Sequence, residues 1–136
     1  MHHAIESLIP HRAPMRFIDA LTECTETAAA ATAHFDANHF AVVDGHVLEC
    51  ALVECAAQTV GAALGQRARA SGKSDAPAKG MLVAVTNFQF QKRLAAESSV
   101  TIETRELKRL GMMLMLSAVI KCNEQTIASG EMTVYA

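Results

Sequence analysis

The chain has 136 residues, 51% of them apolar and 19% charged, with a formal net charge of -2. A chain of this length and composition builds one domain around its own core, without disulfides or metal, and is not extended disorder. Its slight acidity and its 4% aromatic content exclude a general nucleic-acid binder, which needs a basic face and stacking rings.

No apolar run reaches the roughly 18 to 20 residues that would span a bilayer. The opening Met1-His2-His3-Ala4-Ile5-Glu6 lacks the basic and apolar regions of a signal peptide, so the cytoplasm is expected. The cysteines Cys24, Cys50, Cys55 and Cys122 form no CxxC and read as small reduced thiols. There is no HExxH, no glycine-rich phosphate loop and no GxSxG, so neither a metal nor a cofactor is expected.

In chain order, Met15 to Leu21 and Thr27 to Phe35 read as strands, although the second is alanine-rich enough to pass for a helix. Asp44-Gly45 suits a turn or an N-cap. From Val47 to about Ala70 there is no proline, few β-branched residues and many helix formers, with Arg67 and Arg69 at the end where positive charge suits the helix dipole. This segment is apolar nearly all round up to Leu64, the pattern of a buried helix. Gly61 and Gly65 share one face and permit a backbone or a ligand to come close.

A polar connection rich in glycine and proline signals runs from Ala70 to Gly80. Strands are then expected over Met81 to Phe90, Ser99 to Leu107, Met112 to Cys122 and Thr126 to Tyr135. Turns at Arg109-Leu110-Gly111 and Asn123-Glu124 join the last three. The order is two strands, a long buried helix, then antiparallel strands. An α+β hot-dog arrangement, a curled antiparallel sheet wrapped around one helix, satisfies it as a single domain over residues 1–136. Its outer strands need cover, commonly by a second copy.

Glu54 is the residue out of place. It lies between Cys50-Ala51-Leu52-Val53 and Cys55-Ala56-Ala57, where a carboxylate is costly unless hydrogen-bonded or set in a cleft. Gln58 is four residues on, one turn away on the same face. The pair is either acid–base machinery or a polar stripe that fixes packing. His34, His39 and His46 lie in the segment leading into the helix, and His11 lies near the start. An imidazole within reach of Glu54 would make a proton-transfer pair.

Several stretches resemble the FabZ-type 3-hydroxyacyl-acyl carrier protein dehydratases, and the segment Asn38 to Glu54, with Asp44-Gly45, is similar to a divergent ApeP-like subgroup of aryl-polyene pathways. Residues 9–19, Ile-Pro-His-Arg-Ala-Pro-Met-Arg-Phe-Ile-Asp, are similar to that family's opening motif. Leu52 to Gln58 is similar to its helix signature, and Asn87 to Arg93 to its KxxFxRP strand, with Leu94 in place of proline. The resemblance implies the hot-dog fold and loss of water from a (3R)-3-hydroxyacyl thioester to give the trans-2-enoyl thioester.

By that resemblance the acidic catalytic residue is Glu54, positioned by Gln58. The family's histidine falls fourteen residues earlier, on Phe40; His39 is one residue off, and Gly45-His46 repeats the motif's Gly-His dipeptide closer to the helix. His39 and His46 are therefore the histidines in question, and one subunit could present either to Glu54 of another. The resemblance further places an oxyanion hole at the helix start, around Gly45, Val47 and Leu48, and an acyl tunnel along the small-residue face at Gly61. The implied partners are an acyl carrier protein, the acyl thioester and a second hot-dog subunit, in a homodimer, a higher homo-oligomer or a heteromer. A basic mouth for the acidic carrier would draw on Arg67, Arg69, Lys92 and Arg93. Two other classes fit the same residues: a hot-dog acyl thioesterase, and a non-catalytic or partner-dependent acyl-binding subunit.

Overall fold

The computed structural model describes residues 4–136. A one-turn helix α1 (Ile5–Leu8) precedes β1 (Ile18–Cys24) and β2 (Ala28–His34). A small hairpin, β3 (Val42–Val43) and β4 (His46–Val47), leads into the long helix α2 (Glu49–Ala70). Four strands follow: β5 (Met81–Phe90), β6 (Ser99–Leu110), β7 (Met113–Cys122) and β8 (Gln125–Tyr135). Six of the strands form one antiparallel sheet in the order β1-β2-β6-β7-β8-β5. The helix α2 packs on β1, β2 and β6, which is the hot-dog arrangement.

Two hairpin turns take the left-handed backbone that tight connections require. Asp44 and Gly45 both have positive φ, at 52° and 77°, and make the two-residue turn of the β3–β4 hairpin. Asp44-Gly45 is therefore a hairpin turn and not a helix cap; the N-cap position falls on Leu48, and α2 begins at Glu49, two residues beyond the expected start. Asn123 and Glu124, at φ 51° and 65°, close the β7–β8 hairpin in the same way.

The alanine-rich segment is a strand, against its intrinsic preference for helix. It lies between β1 and β6, and Ala29, Ala31 and Ala33 alternate into the core. The helix α2 packs on this strand, and its own small side chains Cys55, Ala56, Ala62 and Ala63 are buried as well. Larger residues fill the rest of the core: Phe17 and Phe35 meet edge to face, and Ile18, Leu52, Ile102, Ile120 and Met132 are fully buried.

Two glycines of α2 do different work. A Cβ on Gly65 would lie 2.6 Å from the Leu8 carbonyl oxygen, so this glycine lets α1 lie against α2. A Cβ on Gly61 would meet only the Ile9 side chain, at 3.4 Å, and Gly61 faces a cavity.

Among the described residues the edge strand β5 pairs only with β8, and Met81, Leu82, Val83 and Val85 are exposed along it. A long apolar edge of this kind is a template for another strand. Among the described residues no helix is long and apolar enough to cross a membrane.

Candidate active site

Glu54 stands in the second turn of α2, and its side chain is one-third exposed. It opens on a cavity of about 390 Å³ between α2, the loop after α1, β5 and the end of β8. Ile9, Val60, Leu64, Leu82 and Val134 supply apolar wall, and Lys79 lines it as well. Along the helix, Glu54 to Leu64 spans about 15 Å at 1.5 Å per residue.

Gln58 is 1% exposed, and every polar direction of its amide is taken. Its Oε1 accepts from the backbone N–H of Phe17 at 2.8 Å and, more weakly, of Ile18 at 3.4 Å. Its Nε2 donates to the Met15 carbonyl at 2.8 Å and to Glu54 Oε2 at 3.0 Å. Two backbone donors on one side and two acceptors on the other determine which way the amide faces. Gln58 therefore ties the start of β1 to α2 and holds one oxygen of the carboxylate.

The imidazole beside Glu54 is His11. Its Nε2 lies 3.5 Å from Glu54 Oε2, and its Nδ1 is buried without a hydrogen-bond partner among the described residues. The loop that carries His11 is wound on itself: Arg12 donates to the Ile9 and His11 carbonyls, and Met15 and Arg16 donate back to the Arg12 carbonyl. The signal for His11 is in the sequence, in the Pro10-His11-Arg12 motif, but 43 residues separate it from Glu54 and no local pattern joins them.

The other anticipated residues divide into two places. Gln58 and Gly61 line the same cavity as Glu54, while Gly45, Val47 and Leu48 do not. His46, Val47 and Leu48 border a separate hollow of about 330 Å³ with Lys92 and Arg93. Within the chain, His39 lies in an aromatic cluster with Phe17, Phe35 and Phe40, its Nδ1 accepting from the Ala41 N–H at 3.0 Å. His46 Nδ1 faces the Asp44 carbonyl at 3.1 Å. Neither histidine borders the Glu54 cavity of its own chain.

Two of the N–H groups expected at the oxyanion hole have partners within the chain. The Val47 N–H donates to the Leu94 carbonyl and the Leu48 N–H to the Ala41 carbonyl, both at 2.8 Å, so those donors are engaged in the fold. None of the four cations expected at a basic mouth lines the Glu54 cavity. Arg67 is latched to the Thr25 carbonyl and Arg69 to those of Ser7 and Asp75, while Lys92 and Arg93 belong to the second hollow. The cation on the Glu54 cavity is Lys79. Cys55 is fully buried, and burial pushes its thiol far above the ordinary range, so it is core and no nucleophile.

A six-stranded sheet on one central helix, with a helix carboxylate on an apolar cavity, defines a hot-dog protein. The chain belongs to the ApeP-like family, the ApeP dehydratases, whose family model matches residues 3–136. No curated protein matches the sequence. Among solved structures, the dehydratase heterocomplex ApeI:P from Xenorhabdus doucetiae is similar, with a TM-score of 0.90 at 19% identity, over 99% of this chain and 91% of that one. The TT0310 protein from Thermus thermophilus aligns with a TM-score of 0.66 at 13% identity, over 85% of this chain and 88% of that one. A hypothetical thioesterase with coenzyme A from Streptococcus pneumoniae has a TM-score of 0.66 at 13% identity, over 85% of each chain. At these identities the solved structures speak for the fold.

Proposed function

We propose that the protein takes part in dehydrating (3R)-3-hydroxyacyl thioesters to trans-2-enoyl thioesters, with the acyl group borne on a carrier protein and used in a polyene- or fatty-acid-like synthesis. The C2–H bond breaks and its proton goes to a base. The C3–O bond breaks, the hydroxyl leaves as water with a proton from an acid, and the C2=C3 double bond forms. Glu54 is the acid, acting directly or through a water. The acyl chain lies in the cavity along Gly61, with Lys79 at its rim for the anionic carrier.

The observation that carries this reading is the Glu54 carboxylate itself, set on an apolar cavity with one oxygen held by a fully bonded Gln58. The base is an imidazole brought by a second hot-dog subunit. That subunit is either another copy, presenting His39 or His46, or a different hot-dog protein. Two observations support a second subunit: neither histidine borders Glu54 within its own chain, and the β5 edge is unpaired and apolar.

The test is turnover of a 3-hydroxyacyl pantetheine thioester by the protein alone and mixed with a hot-dog dehydratase from the same source. Absorbance of the conjugated enoyl product supports dehydration, and its loss in Glu54→Gln assigns the carboxylate. Release of free thiol would make the protein a thioesterase instead. Enoyl formation only in the mixture, unchanged by Glu54→Gln, would leave this chain as a non-catalytic subunit.

A further inference from the structure

We propose that His11 is the positioning residue of Glu54: together with Gln58 it clamps Oε2 and leaves Oε1 as the oxygen that exchanges a proton with the substrate. The role in turnover rests on the dehydratase reading; the protonation of His11 does not.

A neutral imidazole has one N–H and one lone pair. His11 Nε2 faces a carboxylate oxygen at 3.5 Å, while Nδ1 is shielded and has no partner among the described residues. With the proton on Nδ1, a buried N–H would be orphaned and the Nε2 lone pair would face the carboxylate's own, both unfavourable. With the proton on Nε2, a donor meets an acceptor, and only a lone pair is left unsatisfied at Nδ1. Double protonation would again orphan the Nδ1 N–H. The favoured form is the neutral Nε2–H tautomer.

That form has no base to offer. Its Nε2 proton sits on the nitrogen nearest Glu54, and its Nδ1 lone pair is shielded. The carboxylate is made asymmetric as a result. Oε2 faces donors on two elements, Gln58 on α2 and His11 on the loop after α1. Among the described residues no donor is placed on Oε1. One oxygen is fixed by the protein, and the other is left to the reacting atoms.

The experiment compares wild type, His11→Ala, His11→Gln and Glu54→Gln in the complex that supports turnover, and reads His11 separately by nitrogen NMR of 15N-histidine-labelled protein. A misaligned carboxylate should lower kcat by about a hundredfold in His11→Ala with little change in KM. His11→Gln keeps an N–H donor and should recover most of that loss. Unchanged kcat in His11→Ala overturns the proposal. Loss in both variants to the level of Glu54→Gln, in folded protein, also overturns it, because His11 would then be a proton-transfer group. The NMR spectrum at neutral pH should show the Nε2–H tautomer in wild type. An Nδ1–H tautomer or an imidazolium overturns the proposal even if no substrate turns over. Equal activity of wild type and Glu54→Gln with the Nε2–H tautomer present would instead remove the dehydratase reading and leave the clamp standing.

Discussion

Gln58 donates to Glu54 across one turn of α2, from Nε2 to Oε2 at 3.0 Å, while its own Oε1 receives the backbone of Phe17. The same amide therefore orients the carboxylate and fastens the first strand to the helix. Removing it in Gln58→Ala leaves the buried Phe17 N–H and the part-buried Met15 carbonyl without this partner. The expected loss is about 2 to 4 kcal/mol of unfolding free energy, accompanied by loss of turnover. Urea denaturation checks it; a shift under about 0.5 kcal/mol would show that water replaces the amide.

Glu54→Gln separates chemistry from folding. The carbonyl of the introduced amide can still accept from Gln58 and His11, and the side chain is partly exposed, so stability should stay within about 0.5 kcal/mol of wild type. Turnover should fall by a factor on the order of 10² or more, the usual contribution of a general acid. Matched melting curves and product absorbance on the same preparation decide it.

Two alanine substitutions on one helix face should have opposite signs. Gly65→Ala drives a Cβ to 2.6 Å from the Leu8 carbonyl oxygen, so α1 must move, at a cost of about 1 to 3 kcal/mol. Gly61→Ala makes an ordinary contact at 3.4 Å and gains helix propensity of up to about 1 kcal/mol. The melting temperature should drop in the first variant and hold or rise in the second. Equal drops would mean that Gly61 also serves packing.

Glu97 carries an acid-range signature. The Ala37 N–H, and then His34, hold its carboxyl below the ordinary value of 4.5. A carboxyl lowered in the folded state adds stability that is present above 4.5 and is lost as pH falls through its folded value. Glu97→Gln should therefore be less stable than wild type at neutral pH, with the gap closing in acid. A gap constant across pH would show that the charge is not involved.

Thiol labelling should discriminate between two cysteines five residues apart in the chain. Cys50 is exposed in the first turn of α2 and should react with a disulfide reagent in the native protein. Cys55 is buried, with its thiol pushed up by the loss of water, and should react only on unfolding. Mass spectrometry of the labelled peptides reads both; rapid native labelling of Cys55 would mean that α2 opens readily.

Periodicity and turn chemistry already identified the long helix, the four C-terminal strands, the Asn123-Glu124 turn and the one polar residue pair in an apolar setting. Each of these is a local property: a 3.6-residue or 2-residue repeat, a left-handed turn, or a carboxylate one turn from an amide. The small residues of α2 were also legible as a close approach, though not which glycine met backbone and which met a cavity. What only the tertiary structure decided was assembly. The alanine run at residues 28–34 became strand because its neighbours supply ladder partners on both edges. His11 reached Glu54, and Val47 and Leu48 lost their free N–H groups, through loops and strand pairings that bring distant segments together. Such contacts leave no repeat in the chain, because their partners are set by how the sheet curls around the helix and not by spacing along the sequence.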